Sequence, residues 1–127
     1  MTKIVACTLI IKDDFNNVLV LKKKAKKGQE EKWSLLTQKF RGKENDEKCL
    51  NRAMKDILKS IIFNLEEFKE YSINQENGES IKVYLGDLKE RFILDKSYNE
   101  AKWINKNELE KYNLEELDKN ILKDFYR

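Results

Sequence analysis

Apolar residues in this chain fall into runs whose spacing changes along its length. The runs "KIVACTLIIK" and "VLVLKK" are β-rich and are separated by the turn-like "DDFNN", which predicts a β-hairpin over residues 3–23. The segment "KKKAKKG", Lys22 to Gly28, interrupts the pattern with charge and ends in glycine, so it predicts an exposed loop before a third strand near Trp33. Over residues 46–61 the spacing becomes helical. Leu50, Met54, Ile57 and Ile61 form one stripe, with Lys48, Arg52, Lys55, Asp56 and Lys59 largely opposite, and Asn45 and Asp46 suit the N-cap. "FKEYSI", the turn "ENGE" and "SIKVYLGDL" predict an antiparallel pair, "AKWI" a short strand, and "LEELDKNILKDFY" a closing amphipathic helix. The order β-β-β-α-β-β-β-α is that of a mixed α/β (α+β) domain, expected to occupy residues 1–127 as one unit.

Composition narrows the chemistry. At 127 residues and 40% hydrophobic content the chain has enough for one core and little more. Lys+Arg 26 against Asp+Glu 23 gives a net charge of +3, which implies weak attraction for anions rather than a dedicated nucleic-acid surface. The run Lys22, Lys23, Lys24, Lys26 and Lys27 is a place where phosphates or RNA could dock; with Glu30 and Glu31 adjacent, it reads rather as a solvated loop. The chain has no histidine, so acid/base or metal chemistry must rest on carboxylates, lysine, tyrosine or cysteine. No apolar run approaches the roughly 20 residues that span a bilayer, and the start "MTKIVACTLII" lacks a small-residue cleavage site. Cys7 and Cys49 read as reduced buried thiols, so the expected location is the cytoplasm and no membrane partner is expected.

The stretch "WSLLTQKFRGKENDEKCLNRAMKDIL", residues 33–58, resembles the signature region of the Nudix hydrolases (MutT-like proteins), G-x5-E-x7-R-E-U-x-E-E-x-G-U with U a bulky aliphatic. Trp33, Ser34 and Leu35 match the strand that usually precedes the signature, Glu44 its first glutamate, Arg52 its arginine and Met54 its aliphatic slot. "EAKWINKNEL", from Glu100, is similar to the family's later E-x-x-W strand and short helix. The resemblance implies a mixed β-sheet sandwiched between helices, Mg2+- or Mn2+-dependent hydrolysis of nucleoside diphosphate derivatives, and a nucleotide-like substrate.

The same alignment exposes departures. Where the family presents helix glutamates at i, i+3 and i+4, this chain has Ala53, Asp56 and Ile57. Gln38 and Lys59 stand at the two signature glycines, so those turns are expected to be built differently. By resemblance the remaining metal ligands are Glu44 and Asp56, with Arg52 beside them. Glu90 and Glu100 are candidate bases or replacement ligands, against a reading as surface acids. Glu44 and Arg52 read equally as an ion pair fixing loop to helix, Asp56 as a surface acid, and Ala53 and Ile57 as core or pocket wall. Trp33 and Tyr84, with Trp103 and Phe92, are candidates for stacking a base, against a core role. Three functions stand: a hydrolase weakened by the missing acids, a non-catalytic module binding a nucleotide or a protein, and a small structural or RNA-associated domain.

Overall fold

Alternation in the first two strands divides the interior into two cores. A computed structural model describes residues 3–127. Strand β1 (Lys3–Lys12) turns Cys7, Leu9 and Ile11 to one face of the sheet and Ala6 and Ile10 to the other. Strand β2 (Val18–Lys23) divides Leu19 and Leu21 from Val18 and Val20 in the same way. The first set packs with Leu50 and Ala53 of helix α1 (Asp46–Ala53), the second with Ile121 and Leu122 of helix α2 (Glu116–Phe125). The expected sandwich of one mixed sheet between helices is therefore the architecture of the chain.

Strands β3 (Trp33–Ser34), β4 (Leu36–Lys39), β5 (Phe63–Asn74), β6 (Glu79–Asp87) and β7 (Tyr98–Ile104) complete the sheet. β1 runs parallel to β6, with β5 antiparallel on the far edge of β6. β7 pairs antiparallel with β2, placing Trp103 opposite Leu19 and Tyr98 opposite Lys23. The expected hairpin pairs Lys12 with Val18; further along, β1 takes β4 as neighbour and β2 takes β3. What reads as one third strand is thus split at Leu35, whose N–H is donated to the Asp118 carboxylate of α2 at 3.0 Å. β5 begins at Phe63 rather than at Phe68.

The signature helix differs from its expected extent. After Ala53 it continues as a π-helical turn, Met54–Leu58, and stops at Lys59 in the left-handed region (φ 50°, ψ 40°). The late glycine position therefore makes a left-handed turn with a lysine in it, contrary to the expectation of a different turn. That turn throws Ile61 out of the predicted stripe, where it is 55% exposed, and brings Ile62 inward instead. Ile62 packs over Gly86, where an added Cβ would stand 2.4 Å from its Cγ1.

Residues 88–97 then cross the α1 side of the molecule as a strap. The Leu88 N–H bonds to the Lys12 carbonyl, that of Ile93 to Leu58 (2.9 Å) and that of Asp95 to Ile57 (2.8 Å), and the Lys24 N–H reaches Ser97. Phe92, Leu94 and Tyr98 pack against the α1-side core. Among the described residues no helix is long and apolar enough to cross a membrane.

Candidate functional site

The loop entering α1 is held by one carboxylate. Glu44 accepts from the Arg41 N–H (2.7 Å) and from Nε and Nη2 of Arg52 (2.7 and 2.8 Å), while Arg52 Nη2 also reaches the Lys39 carbonyl (2.9 Å). The Arg52 guanidinium, through these hydrogen bonds, holds the Glu44 carboxyl down at about 2. This is the loop-to-helix ion pair foreseen as one of two readings, and it occupies both carboxylate oxygens. Asn45 is the N-cap, accepting from the Lys48 N–H at 2.8 Å.

Ala53 and Ile57 project from α1 and its π turn into the core, 0% and 8% exposed. The strap lies beyond them, with the Ile57 and Leu58 carbonyls bonded to its amides. Asp56 is exposed and lines an open cleft of about 480 Å³ with Lys55, Lys59, Ser60 and Ile61. Lys59 Nζ donates to the Asp56 carbonyl and lies 3.4 Å from Asp95. Mg2+ requires several hard oxygen ligands in near-octahedral array. Here a methyl and a sec-butyl group supply none, Asp56 shares its cleft with Lys55 and Lys59, and Glu44 is held by Arg52, so this donor set does not fit the ion. Among the described residues no three histidine, cysteine or acidic side chains are placed to hold a metal.

The remaining sequence candidates are dispersed. Glu100 lies on β7 between Lys22 (3.6 Å) and Lys102 (3.5 Å). Glu90 is on the strap, beside Trp103 in a second open cleft. Trp33 is 8% exposed in the α2-side core, edge-on to Tyr112 at 5.3 Å, with Lys22 Nζ over its ring. Lys22 also bonds Glu31 at 3.7 Å, so this member of the lysine run is partly neutralised.

Tyr84 is 7% exposed on the α1 side, and its hydroxyl donates to Asp46. Burial first, then Asp46, drives the phenol above its ordinary range, and burial with the same aspartate pushes the Cys7 thiol up to about 12. Lys82 lies 3.8 Å from Asp46 and 2.7 Å from Glu67. The result is a polar cluster at the start of α1 that the signature comparison does not reach. Its signal in the sequence is the alternation of "SIKVYLGDL", which puts Lys82 and Tyr84 on one face. The strap's signal is the apolar "FIL" at 92–94 within a connection.

No family model and no curated protein matches the sequence. Solved structures do match in shape. A MutT structure from work on the fish pathogen Aliivibrio salmonicida and on Vibrio cholerae superposes with a TM-score of 0.80 at 14% identity, over 95% of this chain and 94% of the other. The Nudix domain of Shewanella oneidensis NrtR, in complex with ADP ribose, gives 0.75 at 11% identity, over 99% and 88%. The C. elegans Ap4A hydrolase, in a binary complex, gives 0.72 at 16% identity, over 95% of each chain. The chain therefore has the Nudix fold.

Proposed function

We propose that residues 1–127 act as one Nudix-type domain that binds a nucleotide-like ligand without hydrolysing it. The observation that carries this reading is the burial of Ala53 and Ile57 in the α1-side core, with the strap bonded to the Ile57 carbonyl, at the positions where the resemblance expects metal-binding glutamates. Hydrolysis of a pyrophosphate linkage by this fold's usual chemistry needs divalent cations to neutralise phosphate oxygens and activate water. The Glu44–Arg52 pair then serves to fix the loop before α1, and Asp56 is a surface acid. The ligand class is supported by the shared fold with a Nudix domain that holds ADP ribose.

The test is an assay of ADP ribose and a dinucleoside polyphosphate with millimolar Mg2+ or Mn2+. The expected result is no cation-dependent product above the no-protein control. Turnover that Glu90→Gln or Glu100→Gln abolishes without unfolding the protein would instead establish an enzyme whose acids lie elsewhere.

A further inference from the structure

The geometry points to a nucleotide-binding cleft at the β6 end of the strap, against Trp103 of β7, that takes a nucleobase between Trp103 and Phe92 and its phosphate on Lys89 and Arg91. The inference rests on the proposed function for its ligand class and goes beyond it in giving the site. The cleft is open, about 460 Å³, and is lined by Leu88, Lys89, Glu90, Arg91, Phe92 and Trp103. That volume lies within the roughly 300–1,000 Å³ common for small-molecule sites.

Each group has a distinct part in the recognition. Trp103 and Phe92 are half-buried, packed on one side against the α1-side core and bordering the cleft on the other. Rings held in this way lose little freedom when a base stacks on them. Trp103 is fixed further by its place on β7 opposite Leu19, and its indole N–H has no acceptor among the described residues. Lys89 and Arg91 are exposed and make no close ion pair among the described residues, though the Lys89 charge helps lower the Asp87 carboxyl. A guanidinium and an ammonium bordering an aromatic cleft suit phosphate oxygens. Glu90, between them in sequence, is an acceptor for the exocyclic amine of an adenine or cytosine and disfavours a wholly acidic ligand such as a carboxylate-rich peptide.

A base bearing phosphate is presented both by a free nucleotide and by a single strand of nucleic acid. The experiment uses intrinsic fluorescence, because the chain has two tryptophans and Trp33 is buried. The intact protein is titrated with ADP and, separately, with single-stranded oligo(dA), and each titration is repeated by calorimetry. The expected result is a saturable emission change that is lost in Trp103→Phe. Arg91→Glu, a change at an exposed position, should weaken binding by roughly tenfold. Comparable affinity for both probes identifies the nucleotide itself as sufficient; much tighter, steeply salt-dependent binding of oligo(dA) identifies a strand as the source. Absence of saturable binding by either probe overturns the cleft, as does calorimetric binding that Arg91→Glu leaves unchanged. Hydrolysis of ADP ribose would strike at the proposed function and leave the cleft standing, whereas binding insensitive to Arg91→Glu strikes at the cleft alone.

Discussion

Asp118 is 7% exposed inside α2, accepting the Leu35 N–H, and burial pushes its carboxyl up to about 6. An acid raised above its unfolded value binds its proton more tightly in the folded protein, so its contribution falls as pH rises between about 4 and about 6 and stays low above that. Asp118→Asn keeps an oxygen for the Leu35 N–H and removes the charge. Relative to the parent, the variant should gain stability progressively across that window, by on the order of 2 kcal/mol at neutral pH. Urea unfolding at several pH values checks this; a variant less stable than the parent at pH 7 contradicts it. Glu44 works in the opposite sense, its lowered carboxyl stabilising the fold above the ordinary glutamate range and losing that contribution as pH falls toward about 2. Of these residues, Glu44 and Arg52 were legible because their partnership lies within the local spacing of the signature. Asp118 was not, since its burial depends on the break at Leu35, 83 residues away in sequence.

At the scale of elements, periodicity located both helices and the hairpin of β1 and β2, read β3 and β4 as one strand and began β5 too late, and it failed where the backbone leaves regular geometry. The stripe predicted through Ile61 assumes continuous α-helix, but the π turn at Met54–Leu58 shifts the phase and left-handed Lys59 ends it. Nothing in "MKDILKS" announces either feature, because lysine carries no preference for positive φ. A β-carbon in the left-handed region costs roughly 1–2 kcal/mol, partly offset by the greater freedom of unfolded glycine. The exposed contact of Lys59 with Asp95 contributes little. Lys59→Gly should therefore raise stability by up to about 1 kcal/mol, read as a higher urea midpoint at unchanged slope. A lower midpoint would mean that the lysine's bonds to the Asp56 carbonyl and Asp95 outweigh the strain. The strap was not read from the sequence; its crossing over Ile57 follows from long-range hydrogen bonds that no local pattern encodes.

Across the whole molecule, the alternation of β1 and β2 and the two amphipathic helices were sufficient to place a sheet between helices. The same architecture is shared with structures only 11–16% identical to this chain. In this chain, Ala53 and Ile57 join Leu50, Met54 and Leu58 in a core continuous with Leu9, Leu21 and Leu36, and the strap covers it. Filling that volume with hydrocarbon stabilises the fold by burial and places no oxygen ligand at positions 53 and 57. A protein with a real cation site gains stability as RT ln(1 + [L]/Kd), so a cation present far above its Kd must raise the melting temperature. The direct measurement is a melting curve with and without millimolar Mg2+ and Mn2+ at matched ionic strength. A midpoint unchanged within error is the result expected of the packed face; a cation-dependent rise that disappears in Asp56→Ala would contradict it.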